Sequence, residues 1–293
     1  MPRVLVATPM WPEALRPLAG HELVPGEPGS DAAAQALLCD PTQSVDAAAI
    51  EAMPLLRVIA VAGAGSDAVD HAAAARREIP VLTAGEALVE TTADVAFGLI
   101  VAASRLMGEA QELVREGRWH GWRFGDEYGR DVHGATLGLV GFGAIARAVA
   151  RRAEGFAMHV LHHSRRPTGL PGFREDLDSL LEDSDVVSVH VPLDDSTRGL
   201  IDRRRIGLLK EDAVLVNTAR GAVVDELALA EALSDGRLLG AGLDVYDGEP
   251  QVAPQLLAAP RTILLPHVGS ATRATRRAML RTAAEKVAAC LDG

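Results

Sequence analysis

Thr136-Leu137-Gly138-Leu139-Val140-Gly141-Phe142-Gly143-Ala144-Ile145-Ala146 is the stretch whose reading decides the fold. Residues 136–140 form an apolar run that predicts a buried strand. Gly141 and Gly143 permit a tight turn and a close approach of backbone to a pyrophosphate. Residues 144–153 continue as a helix whose first N–H groups can hold phosphates. Ala146 takes the third small position, which still allows close helix–strand packing. Phe142, Ala144 and Ile145 are counted with the two glycines as cofactor contacts. After a second strand, expected at 158–162, comes His163-Ser164-Arg165-Arg166. A site preferring NAD places Asp or Glu here, on the ribose 2′-hydroxyl; Ser164, Arg165 and Arg166 suit a 2′-phosphate instead. The cofactor expected is therefore NADP(H), with NAD(H) possible. Glycine-rich turns and paired arginines are each common by chance. Their order, strand, turn, helix, strand and basic tip, is what carries the reading.

Outward from this unit the alternation continues. Apolar strands are expected at 160–161, 186–191, 213–216, 239–245 and 262–265, with helical stretches between them. This is the pattern of an α/β doubly wound parallel sheet. Before it, residues 4–7, 32–38, 45–53 and 58–61 alternate short apolar runs with Ala-rich segments on a smaller scale. One long helix is expected over 87–115, and an amphipathic helix over 273–291 returns to the first domain. A chain of 293 residues implies two domains: residues 1–91 with 270–293, and residues 92–269.

Composition sets further bounds. A net charge of −11 disfavours an extended nucleic-acid surface, although arginines 147, 151, 152, 165 and 166 form a local basic group beside the phosphate site. No charge-free membrane span is expected, and residues 1–7 read as a first strand, not a signal peptide. Cys39 and Cys290 belong to no Cys-x-x-Cys pair, so no metal or redox motif is indicated and a reducing cytoplasm fits.

Three polar segments end successive strands, where a doubly wound sheet binds its ligands: Asn217-Thr218-Ala219-Arg220-Gly221, the stretch from Asp244 to Pro250, and Pro266-His267-Val268-Gly269-Ser270. Hydride transfer to a 2-oxo acid needs a cation for the carboxylate and carbonyl, and an acid to protonate the oxygen. Arg220 offers a planar fork for the first task. His267 suits the second, with Glu249 favouring its imidazolium form and fixing its tautomer. Asp244 is suited to the nicotinamide amide or to a capping role. Singly, each residue has an ordinary alternative: an ion pair for Arg220, a solvated turn for Glu249, a loop cap for His267. Their joint position on three sheet edges favours catalysis.

These motifs, from about residue 55 to the C-terminus, resemble the D-isomer-specific 2-hydroxyacid dehydrogenase family, nearest its NADP-dependent glyoxylate/hydroxypyruvate reductases. The resemblance implies a Rossmann-type sheet inserted in a smaller flavodoxin-like substrate domain. It implies Arg220 as the substrate-binding arginine, His267 as acid/base and Glu249 as its partner. The loop 62–67 is similar to the family's substrate loop, with N–H groups near Ala64 and Gly65 receiving a carboxylate in a glycine-rich nest. Further cofactor contacts implied are Thr92, Val191, Pro192 and Thr197, then Thr218, Ala219, Asp244, Gly269 and Ser270 beside Arg220 and His267. A homodimer is also implied, through the 87–115 helix and the region of Trp119 and Trp122, which are equally plausible as packing residues.

Several features mark the branch. Glu249 with His267 looks unlike formate dehydrogenases, Ala64 unlike phosphite dehydrogenases, and the sequence closes without the extension of many phosphoglycerate dehydrogenases. Ala144 departs from the basic residue of many relatives. The expected activity is NADPH-dependent reduction of a small 2-oxo acid such as glyoxylate or hydroxypyruvate, with closure of the two domains excluding water. Alternatives are a D-lactate-type or bulkier 2-hydroxyacid dehydrogenase, a non-catalytic NAD(P)-sensing protein, or a Rossmann binder with unrelated chemistry.

Overall fold

A computed structural model describes residues 1–8, 11–125 and 128–293. Its contacts divide the chain into two units, Met1–Val89 with Ser270–Gly293, and Glu90–Gly269.

The first unit is built on strands β1 (Arg3–Ala7), β2 (Glu22–Pro25), β3 (Ala36–Cys39), β4 (Val58–Val61) and β5 (Val81–Thr83), with helices α1 (Ala47–Glu51) and α2 (His71–Arg76) between them. All pairings are parallel, in the order β2-β1-β3-β4-β5. That is the flavodoxin-like order, reversing between β1 and β3. The central strands β3 and β4 are buried at every residue, as a parallel sheet covered on both faces requires. The edge strands β2 and β5 are half-exposed and mixed in character. Neither is marked by a sustained apolar run in the sequence.

The second unit opens within the first turn of α3 (Val89–Ser104), which is followed by α4 (Met107–Arg115). The single helix expected over 87–115 is therefore two. Leu106 adopts a left-handed φ of 46°, and the N–H of Arg130 donates to the carbonyl of Ser104 at 2.8 Å, ending the first helix. Nothing local marks this break; a distant segment makes it. Residues 85–104 have the length and mean hydropathy of a membrane span, but half of that window is buried inside the protein. Glu86, Glu90 and Asp94 interrupt it, and Leu88, Ala93, Ala96, Phe97, Leu99, Ile100 and Ala103 are buried.

The doubly wound part follows as β6 (Thr136–Val140), α5 (Ala144–Glu154), β7 (His159–His163), α6 (Leu177–Asp183), β8 (Val186–Val189), α7 (Arg203–Leu208), β9 (Val214–Asn217), α8 (Glu226–Ser234), β10 (Gly240–Leu243), α9 (Pro254–Ala258) and β11 (Thr262–Leu264). The six strands are parallel in the order β11-β10-β9-β8-β6-β7, and Phe173 adds a single bridge beside His162 of β7. The order reverses between β6 and β8, which opens a crevice at their carboxyl ends. Leu139, Val140, Val187, Val189, Leu215 and Val216 are fully buried. The chain closes with α10 (Arg273–Asp292), which packs on β3, β4 and β5 of the first unit. Lys286 ties α10 to Glu86 at 2.5 Å and to the Thr83 carbonyl at 2.5 Å.

Candidate functional site

The turn after β6 has the geometry that its glycines allow. Gly141 has φ 93°, and a Cβ there would lie 2.5 Å from the His190 carbonyl oxygen, so only glycine fits. Gly143 starts α5 with no side-chain cap. Six other helices use Asp46, Asp70, Asp176, Asp202, Asp225 or Thr272 to accept a first-turn N–H. The uncapped end of α5 leaves its N–H groups and the positive end of its dipole directed at the crevice, suited to a diphosphate. Ala144 and Ile145 supply two of those amides. Ala146 is fully buried against the sheet. Phe142 stacks on His162 at 3.8 Å between centroids, and the Arg147 guanidinium lies 4.9 Å above its ring. Burial first, then Arg147 and His163, depress the pKa of His162 and favour its neutral form.

The basic group expected beside this site is smaller than the sequence suggests. Arg151 pairs with Glu90, and Arg152 with Glu90 and Asp94, so both bind α5 to α3. Arg147 remains at the mouth of the turn, one helical turn from Ala144. At the tip of β7, Ser164 donates to the Arg166 carbonyl at 2.7 Å, Arg166 is exposed, and Arg165 lies 3.5 Å from Asp194. Val191 packs beside Gly141, and Pro192 opens the next loop. The Thr197 hydroxyl is turned into that loop, donating to the Pro192 carbonyl at 2.7 Å and accepting the Asp194 N–H. Thr218 is buried, and its hydroxyl finds no protein partner among the described residues. An orphaned hydroxyl at the end of β9, a turn that admits only glycine and an uncapped helix together fit a bound dinucleotide.

Three strand ends hold the polar group. After β9, the buried Asn217 side chain donates to the Arg220 carbonyl at 2.9 Å and accepts the Ala219 N–H at 2.9 Å. This closes the turn that presents Arg220, whose Nη1 donates to the Ala219 carbonyl. After β10, Glu249 Oε1 accepts the Tyr246 N–H at 3.0 Å, while Oε2 lies 2.8 Å from Nδ1 of His267. The Tyr246 hydroxyl donates to the Leu265 carbonyl at 2.9 Å. After β11, His267 itself is left-handed at φ 54°, a conformation that costs about 1 kcal/mol or more for a residue with a side chain. Asp244 offsets that cost by accepting the N–H groups of Val268 and Gly269 at 2.7 and 2.8 Å. Burial raises the pKa of this carboxyl. Of the two roles read for Asp244, the structure therefore displays the capping one. Thr92 lies close to Gly269 and Asp244.

Ala64 and Gly65 form the loop after β4, in the first unit, and their N–H groups donate to no acceptor among the described residues. Ser270 begins the closing segment of that unit. An open depression of about 550 Å³ there is lined by Trp11, Thr272, Arg273, Arg276 and Arg277. The supports Asn217, Tyr246 and Glu226 were not assigned roles from the sequence. Asn217 and Tyr246 stand inside the quoted motifs, but their bonds run to backbone groups, which no residue pattern reveals.

The sequence profile described as D-isomer specific 2-hydroxyacid dehydrogenase, NAD binding domain, matches residues 97–269. The chain belongs to this family. Among relatives of this 2-hydroxyacid dehydrogenase, the glyoxylate reductase of Korarchaeum cryptofilum is 43% identical over 269 residues, covering 88% of this chain and 79% of the relative. The structure of the TT0316 protein from Thermus thermophilus matches with a TM-score of 0.90 and 41% identity, over 99% of this chain and 97% of that one. An NADPH-dependent glyoxylate/hydroxypyruvate reductase from Sinorhizobium meliloti, solved with NADP and malonate, matches at 0.88 and 35%, over 98% and 92%. As a D-2-hydroxyacid dehydrogenase the protein is an NAD(P)-dependent oxidoreductase, and both of its parallel sheets are those of the two-domain fold.

Proposed function

We propose that the protein reduces a small 2-oxo acid, of the glyoxylate or hydroxypyruvate type, to the D-2-hydroxy acid with NADPH. The observation that carries this reading is the 2.8 Å contact between His267 Nδ1 and Glu249, at one sheet edge with Arg220. Because Glu249 engages Nδ1, the proton available for transfer sits on Nε2 of the imidazolium, and the ring is left as a single tautomer when it departs. Arg220 holds the substrate carboxylate and polarises the carbonyl through its planar guanidinium fork. In the first unit, the amides of Ala64 and Gly65 are proposed as donors to a substrate carboxylate. A nicotinamide held in the second unit would supply the hydride that C2 of the oxo acid accepts. Residues 92–269 are assigned to the dinucleotide, and 1–91 with 270–293 to the substrate.

Ser164, Arg165 and Arg166 support NADP(H) over NAD(H). The Arg165–Asp194 pair is exposed at 3.5 Å, where solvent screening keeps an ion pair weak, so a 2′-phosphate can displace it. The Sinorhizobium relative, whose structure contains NADP, supports the same choice. A steady-state panel of 2-oxo acids with both cofactors tests the proposal. At least a tenfold preference in kcat/KM for NADPH, with glyoxylate or hydroxypyruvate as best substrate, is expected; a tenfold preference for NADH overturns the cofactor assignment.

The unit Glu90–Gly269 also exposes Met107, Val114, Trp119, Trp122 and Phe124. We infer that a second copy of this chain covers this patch, α4 and the aromatic segment after it forming the interface. A reducing cytoplasm is proposed as its compartment, because Cys39 and Cys290 belong to no Cys-x-x-Cys pair.

A further inference from the structure

Glu226 is a carboxylate only 9% exposed at the start of α8, where it forms no ion pair among the described residues. Its Oε1 accepts the N–H of Asp247 at 2.7 Å. A surface glutamate would satisfy the first turn of a helix as well, so this burial calls for a reason. The reason lies in what it grips. Asp247 sits between Tyr246, whose N–H binds Glu249, and Glu249 itself. A Cβ on Gly221 would fall 1.8 Å from the Tyr246 carbonyl carbon and 2.1 Å from the Asp247 nitrogen. The backbone directly after Arg220 is thus packed on the Tyr246–Asp247 peptide, two residues before Glu249, and Glu226 holds the N–H of that same peptide. The Tyr246 hydroxyl continues the brace to Leu265, two residues before His267.

We propose that Glu226 is a positioning residue for the proton-transfer pair: by holding the Asp247 N–H it fixes the 246–249 turn, and through it sets the Glu249 carboxylate against Nδ1 of His267. The inference rests on the reading of His267 and Glu249 given above. Glu226 touches neither of them and takes no part in the chemistry. What it supplies is an acceptor in a fixed place, so the hydrogen bond and not the negative charge is the required property. Burial, with Asp247 and Glu249 nearby, raises its pKa, consistent with a site that has little use for its charge.

Two variants separate the possibilities. Glu226→Gln keeps an oxygen acceptor, and Glu226→Met keeps the volume without it. Glyoxylate reduction, NADPH affinity and the downfield Nδ1 proton resonance of His267, assigned by its absence in His267→Gln, are measured below each variant's melting temperature. Glu226→Gln is expected within about threefold of the wild type in kcat, with the resonance retained. Glu226→Met is expected to lose at least about tenfold in kcat, with NADPH affinity and glyoxylate KM within about twofold and the resonance shifted or broadened. Should Glu226→Met fail to fold, Glu226→Gln decides alone: retention of rate and resonance supports the brace, and a tenfold loss overturns it. Unchanged kcat and resonance in a folded Glu226→Met overturn it as well. The resonance does not depend on turnover, so a wild type inactive on 2-oxo acids would refute the substrate reading while leaving the brace open to this test.

Discussion

At the scale of single residues, the geometry of the proposed acid/base pair depends on groups outside the pair itself. Tyr246 is the clearest: its N–H orients Glu249, and its hydroxyl ties β10 to the segment leading to His267. Burial, reinforced by Asp244, Glu226 and Glu249, pushes its pKa to about 12. The sign follows from linkage. A raised pKa favours the protonated form in the fold, so the contribution is complete below the unfolded value near 10 and lost as pH rises from about 10 towards about 12. Tyr246→Phe should therefore cost about 1 kcal/mol by chemical denaturation, with a gap to wild type that is flat from about pH 6 to 9 and closes above about 10. A gap that closes below about pH 9 would contradict this. Arg220, Glu249 and His267 were legible in the sequence as candidates, because the proposed acid/base and carboxylate chemistry admits few residue types. Asn217 and Glu226 were not, because each binds a backbone N–H or carbonyl and carries no signature of its partner.

At the scale of elements, legibility follows burial. β6, β8, β9 and β10 are buried on both faces, which leaves a continuous apolar run for the eye to find. β2 and β5 lie at edges, with one side partly open, and their mixed composition hides them. The division of residues 89–115 into α3 and α4 was likewise hidden, since the group ending α3 is the N–H of Arg130. Arg151 and Arg152, basic residues near the phosphate site in sequence, are held instead by Glu90 on α3. The uncapped N-terminus of α5 leads to a prediction of its own. Gly143 has φ −76°, and a Cβ there would meet open space, so Gly143→Asp can be accommodated. It should cap the helix, raising stability by a few tenths of a kcal/mol, yet weaken NADPH binding at least about tenfold by placing a carboxylate against the diphosphate. Melting temperature and NADPH fluorescence titration check both effects, and unchanged affinity would remove the diphosphate from this end of α5.

At the scale of the whole molecule, two parallel sheets of different strand order share one chain, and only the second carries the glycine turn and the three polar strand ends. The exposed aromatic segment belongs to that second unit as well. Trp122 is 79% and Phe124 91% exposed, and this is the apolar surface that a second copy is proposed to cover. Sedimentation velocity at micromolar concentration should give a dimer for the wild type and a monomer for a Trp122→Ser, Phe124→Ser double variant; a monomeric wild type would refute the interface. The function itself is tested most directly by His267→Gln, assayed for glyoxylate reduction with NADPH beside a binding titration of the same protein. The wild type should turn over and the variant should lose about 10²- to 10⁴-fold in kcat, with NADPH affinity within about twofold. An inactive wild type, or a variant that keeps full turnover, would contradict the account.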